Sequence, residues 1–179
     1  MRRAHVQALH PTTSALLFRI PPAPLLELVS EGATIGLYHS TGDEAPTNAY
    51  AQFFMERGHE IALPRFETSS EPMHFAGWTD PYGESDLASG AFDILSPASE
   101  AVEVIPDVLI MPLLGFSERG DRLGQGGGHY DRWLADHPQT LTIGLAWDVQ
   151  LCEELPVEPH DISLHAIVTP TRFYGPFNA

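Results

Sequence analysis

Val108-Leu109-Ile110-Met111-Pro112-Leu113-Leu114 is followed, beyond Gly115 to Arg119, by Gly120-Asp121-Arg122-Leu123-Gly124-Gln125-Gly126-Gly127-Gly128-His129-Tyr130-Asp131-Arg132. The apolar run reads as a buried parallel strand. The stretch from Tyr130 to His137 reads as a helix, with Tyr130, Trp133 and Leu134 at i, i+3, i+4 spacing and so facing a sheet. Strand, glycine loop and helix together form a unit of an α/β fold. Five glycines among the nine residues 120–128 let backbone N–H groups crowd round an anion. The N-terminus of the following helix adds its positive dipole end. Arg122 and Arg132 frame the loop and Asp131 follows it, a set of parts suited to a polyphosphate and its metal. The plainer reading is a flexible surface turn, but the interleaved Arg122, Leu123, Tyr130, Asp131 and Arg132 are not linker composition.

Four more apolar runs read as buried strands: Thr34 to Tyr38, Glu60 to Leu63, Leu141 to Trp147 and His165 to Thr169. Pro46 to Arg57 carries Tyr50, Phe53 and Phe54 at helical spacing, and Gly58 supplies a stop. Ala23 to Ser30, after the Pro21-Pro22 break, is a short amphipathic helix candidate. The alternation predicts an α/β fold, a single three-layer domain over residues 1–179 with a mostly parallel sheet flanked by helices. Residues 67–100, rich in Ser, Glu, Pro and Gly, read as a long loop with irregular pieces. In such sheets ligands bind beyond the carboxyl ends of the strands. Three segments fall there: His39 to Glu44, the glycine loop, and Trp147 to Gln150.

Composition narrows the function. The 179 residues carry a formal charge of −15, which argues against a nucleic-acid partner. All nine basic residues are arginine. Without lysine there is no Walker P-loop and no lysine Schiff base. Any bound triphosphate must rely on arginine, backbone N–H groups and a divalent ion. No apolar run approaches the roughly 20 residues that span a bilayer, and the N-terminus lacks the apolar core of a signal peptide. A single cysteine, Cys152, forms no internal disulfide. These features predict a cytoplasmic protein with no membrane partner. The histidines show no zinc spacing, no serine sits in a nucleophile elbow, and Cys152 lies in an acidic stretch that disfavours a thiolate.

From Pro112 through Phe116 to Arg132 the chain resembles the signature of the 5-formyltetrahydrofolate cyclo-ligase family, also called methenyltetrahydrofolate synthetases. That signature is a proline-ended strand, a Phe, and Gly-x-Arg-Leu-Gly-x-Gly-x-Gly-Tyr-Tyr-Asp-Arg. A weaker likeness runs from about Thr34 to Thr169. The resemblance implies ATP- and Mg2+-dependent closure of 5-formyltetrahydrofolate to 5,10-methenyltetrahydrofolate, with release of ADP and phosphate. The alternative is a non-catalytic member that binds nucleotide or folate. The implied nucleotide cradle is Arg122, Leu123, Gly124, Gln125, Gly126, Gly127, Gly128, His129 and Tyr130, with Arg122 and Tyr130 acting on the reacting groups. Glu44, in Glu44-Ala45-Pro46-Thr47, matches the glutamate that binds reduced folate, and His39, Gln125 and His129 join it as substrate contacts. Asp131, and Asp161 of the Pro156-Val157-Glu158-Pro159-His160-Asp161 element, are the implied Mg2+ ligands. A monomer or weak homo-oligomer is expected.

The chain departs from the family pattern at four places. Gly127 stands where a lysine is frequent, and His129 replaces the first of paired tyrosines. Ser96-Pro97 replaces a Glu-Pro or Gln-Pro. The N-terminal helix that carries phosphate-reaching Lys and Arg in the family looks short or missing and has no lysine here: either Arg2 and Arg3 substitute, or the chain begins inside a longer helix. Met73, Phe75, Trp78 and Phe92 are core candidates, some of them suited to an aromatic wall for the folate rings. Trp147 matches an aromatic-x-x-Gln stretch ending at Gln150 and is expected to pack. For Arg122 the plain reading is a surface ion pair with Asp121 or Glu118. As a phosphate ligand instead, its loss is expected to leave the melting temperature nearly unchanged.

Overall fold

The computed structural model describes residues 2–9, 13, 16–68, 70–156 and 161–177, with only the backbone of Phe92. Five short apolar strands pair in parallel at the centre: β1 (Ile35–Gly36), β2 (Ile61–Arg65), β6 (Val108–Pro112), β9 (Leu141–Leu145) and β10 (Ala166–Val168). Two antiparallel edges, β3 (His74–Gly77) and β11 (Phe173–Tyr174), complete the order β11-β10-β9-β6-β1-β2-β3. Ile35 lies opposite both Ile61 and Val108, so β1 is the point from which the chain winds in both directions.

Alternation along these strands builds two cores. On one face Ile35, Leu37, Ile61, Leu63, Val108, Ile110, Ile143 and Leu145 pack with Leu25 of α2 (Ala23–Leu28) and with Tyr50 and Phe54 of α3 (Asn48–Met55). On the other, Ala62, Leu109, Met111 and Ile167 pack with Trp133 and Leu134 of α4 (His129–Asp136). The sheet is therefore the middle of three layers, as the alternation predicts. A short helix, α1 (Arg2–Ala8), reaches Trp147 through the edge of His5.

Four of the central strands are shorter than their apolar runs, whereas β2 runs two residues past Leu63 to Arg65. Residues 67–100 depart further from expectation. Besides β3 they contain the hairpin β4 (Leu87–Ser89) with β5 (Leu95–Pro97), joined through a 3-10 turn at Ala91–Asp93. His74-Phe75-Ala76-Gly77 lacks the β-branched residues that mark a strand. It is held there by pairing with β2 and, on its other edge, by a bridge from Ala76 to Glu103. β7 (Gly115–Phe116) and β8 (Arg122–Leu123) form the hairpin that carries the glycine loop.

Between β9 and β10, His165 accepts at Nδ1 the backbone N–H of Thr142 at 3.0 Å and lies 2.8 Å from its hydroxyl. Burial lowers its pKa below the ordinary value. The folded state thus holds the neutral ring while the unfolded chain protonates near pH ~6.5. The stabilisation is complete above that pH and is lost as pH falls through the folded value. Melting temperature should drop between pH 7.5 and 5, and the slope should flatten in His165→Asn, as read by thermal denaturation across that range.

Candidate active site

The carboxyl ends of β1, β2 and β6 open into a cavity of about 700 Å3. After β1 the chain turns through Tyr38 to Thr47. The Thr47 hydroxyl donates to Tyr38 O at 2.6 Å, and the Tyr38 hydroxyl donates to Ala45 O at 2.6 Å. This closed loop presents Glu44, whose Oε2 accepts the N–H of Thr41 at 2.8 Å and lies 3.2 Å from its hydroxyl. Its Oε1 accepts Gln125 Nε2 at 3.0 Å, across 81 positions of sequence. The post-β1 loop and the glycine loop therefore meet directly.

The glycine loop presents a run of backbone donors. Gly126 and Gly128 take φ of +88° and +60°, a left-handed backbone that side chains disfavour. No backbone N–H from Gly124 to Gly128 donates to an acceptor among the described residues. These donors and the start of α4 lie at one wall of the cavity. His129 packs edge-on against Phe66, and its Nδ1 lies 3.1 Å from Arg132 Nη2, which also donates to Gly127 O at 2.9 Å. Partial burial and the Arg132 charge lower the His129 pKa.

Arg122 departs from the plainer sequence expectation of a surface ion pair. It is neither a surface residue nor paired with Asp121 or Glu118, which engage Ser117 and Arg172 instead. It is 8% exposed, and its Nη2 donates to Asp131 Oδ1 at 2.5 Å. Its Nε is buried with no partner among the described residues. The N–H of Ile162 approaches the same Asp131 oxygen at 3.5 Å, which brings the Asp161 segment alongside. Beneath the loop, burial raises the Tyr130 hydroxyl pKa; Glu44 adds to the effect and Arg122 opposes it. Tyr38 is raised in the same way, burial first and Glu44 second.

His39, Glu44, Arg122, each residue from Leu123 to Asp131, and Asp161 line this one cavity. Val157 to His160 of the acidic element lie outside the described residues. Trp147 and Gln150 do not line the cavity. Trp147 is buried and donates its indole N–H to Asp43 O at 3.0 Å, and Gln150 caps the turn by accepting Trp147 N–H at 2.8 Å and donating to Leu113 O at 2.6 Å. Phe75 and Trp78 belong to the core, whereas Met73 reaches the cavity; the side chain of Phe92 is outside the described residues. Ser96 is buried beneath Gly90, away from the cavity wall. Tyr38, Thr41, Phe66 and Ile94 are wall residues the sequence reading did not single out. Tyr38 and Phe66 follow directly from the carboxyl ends of β1 and β2, a signal that was legible. Arg2 donates to Leu113 O at 3.2 Å and Arg3 pairs with Asp43 at 3.3 Å, so α1 sits at this end of the sheet.

A sequence profile of the 5-formyltetrahydrofolate cyclo-ligase family matches residues 23–170. The chain belongs to the 5-formyltetrahydrofolate cyclo-ligase family. The family's Escherichia coli K12 member is 36% identical over 148 residues, covering 79% of this chain and 80% of the relative. The mouse 5-formyltetrahydrofolate cyclo-ligase is 28% identical over 145 residues, covering 75% and 71%. The fold is that of the Aquifex aeolicus 5,10-methenyltetrahydrofolate synthetase, with a TM-score of 0.77 at 22% identity over 99% of this chain and 90% of that one. Within this cyclo-ligase fold the described residues contain no group of three or more His, Cys, Asp or Glu side chains placed to enclose a metal, and no helix long and apolar enough to cross a membrane.

The buried Arg122–Asp131 pair makes a stability prediction opposite to the sequence expectation. Removing one partner strands the other. Arg122→Met should cost about 3 kcal/mol in urea unfolding. Arg119→Ala, whose side chain is 80% exposed, should change stability by less than about 1 kcal/mol.

Proposed function

We propose that this cyclo-ligase closes 5-formyltetrahydrofolate to 5,10-methenyltetrahydrofolate at the expense of ATP. The observation that carries the reading is the meeting of Glu44 with the glycine loop at Gln125 in one cavity, on a chain of this family. In the reaction the formyl oxygen attacks the γ-phosphorus and ADP departs. N10 then attacks the activated formyl carbon and loses its proton, and the carbon–oxygen bond breaks with release of phosphate. An amide oxygen leaves poorly; a phosphorylated one leaves readily. The protein's work is to position two ligands and balance charge.

Glu44 is the acceptor for pterin N–H and amine donors: Thr41 holds its Oε2, and Oε1 would exchange Gln125 for the pterin. The free N–H groups of Gly124 to Gly128 take the triphosphate oxygens. Arg122 offers a guanidinium that stays charged at every working pH. The Tyr130 hydroxyl, kept protonated by burial, donates a hydrogen bond to charge developing on the transferred group. Asp131 and Asp161 are the residues that would hold Mg2+: two hard carboxylate oxygens beside a phosphate cradle suit an ion that keeps several waters. The ion there would neutralise triphosphate charge.

Formation of methenyltetrahydrofolate, followed by its absorbance, should require both ATP and Mg2+. Asp131→Asn should lower turnover at least tenfold, about 1.4 kcal/mol in barrier. Full activity in that variant or in excess chelator overturns the metal assignment. Glu44→Ala should weaken folate binding by about 1–3 kcal/mol in calorimetry while nucleotide binding, measured separately, changes little.

A further inference from the structure

Glu84 stands just behind the cavity wall with φ of +55°, a conformation rare for a residue with a side chain. Such strain persists only where the surroundings over-determine it, and it concentrates at functional sites. Here Asp80 braces the turn. Its carboxylate accepts Gly83 N–H at 2.8 Å and the N–H and hydroxyl of Ser85 at 3.1 and 2.6 Å, and its carbonyl accepts Glu84 N–H at 2.8 Å. The turn delivers Glu84 Oε1 to two side chains from distant elements. Asn48 Nδ2, at the start of α3, donates to it at 3.1 Å, and His39 Nε2 lies 3.2 Å away.

His39 is a wall residue of the cavity. Its Nδ1 is buried and meets no hydrogen-bonding partner among the described residues. A carboxylate only accepts, so in the neutral ring the contact with Glu84 places the proton on Nε2 and leaves Nδ1 as a lone pair. A buried acceptor without a donor is costly and calls for a reason. A ligand bearing N–H groups in the adjoining cavity supplies one.

We propose that Glu84 is a positioning residue for folate recognition: it fixes the orientation and Nε2–H tautomer of His39, so that Nδ1 receives an N–H of the reduced pterin. This rests on the reading that folate occupies the cavity. The strain at Glu84 is then the local cost of aiming a residue of the 78–90 segment at a ring that follows β1.

The test pairs two variants with two readouts. Glu84→Gly relaxes the backbone and deletes the carboxylate, whereas Glu84→Gln keeps an oxygen acceptor. In Glu84→Gly the KM for 5-formyltetrahydrofolate should rise at least fivefold with the KM for ATP unchanged, while the melting temperature stays equal or rises. Glu84→Gln should stay within twofold of wild type. Nitrogen-15 NMR of His39 should report the Nε2–H tautomer in the wild type and a mixture in Glu84→Gly. A wild-type folate KM in Glu84→Gly overturns the proposal, as does an equal rise in both KM values or a doubly protonated His39 at neutral pH. The NMR arm needs no turnover. Failure of the wild type to form methenyltetrahydrofolate would therefore count against the proposed reaction separately from the Glu84–His39 arrangement.

Discussion

Everything in this structure hangs on the close flanking of β1. A side chain at Gly36 would place its Cβ 2.8 Å from Pro106 and 2.9 Å from Leu109. The Pro106 and Leu109 side chains pack against the bare Cα, and a larger residue would displace them. With β1 seated between β2 and β6, the chain leaves it in one direction toward β2 and returns on the other side through β6. Loops after adjacent parallel strands then diverge, and the crevice between them is where the post-β1 loop and the glycine loop face each other. A two-residue strand thus decides where the cavity opens.

The second organising contact is Arg122 with Asp131. Each is a poor tenant of a half-buried site alone; paired, each is tolerable. In a chain of formal charge −15 the pair also leaves the cradle less positive than its arginine suggests. On the proposed reading, attraction for the triphosphate then rests on the N–H groups of Gly124 to Gly128 and on the dipole end of α4. Backbone donors are fixed by the fold and are not lost to titration, which suits the proposed phosphate role at any working pH.

Much of this was legible because its signals are local. The Val108 run, the glycines and the Tyr130 helix each carry their structure in neighbouring residues, and the carboxyl-end rule gathers their loops without any long-range knowledge. What escaped the sequence depends on partners far along the chain. β3 has weak strand propensity and exists because β2 and Glu103 flank it. The plainer reading of Arg122, a surface ion pair, fails because its partner, nine positions away, is brought round by the left-handed turn at Gly128. Trp147 and Gln150 follow a strand end, as a ligand segment does, yet their polar atoms are spent on Asp43 and Leu113. The carboxyl-end rule locates a neighbourhood; the hydrogen-bond accounting of each side chain decides who is available in it.

The same accounting shows which contacts the ligands would exchange on entering the cavity. Gln125 donates to Glu44, and Arg122 donates to Asp131. Both bonds join a residue proposed to contact one ligand to a residue proposed to contact another, and both must be exchanged when the ligands enter. A pterin that takes over Glu44 releases Gln125 toward the phosphate side, and an ion that takes over Asp131 releases Arg122 toward the triphosphate. On the proposed reading, each binding event frees a polar group for the other. Linkage then requires that the coupling be reciprocal: whatever folate does for nucleotide affinity, nucleotide does for folate.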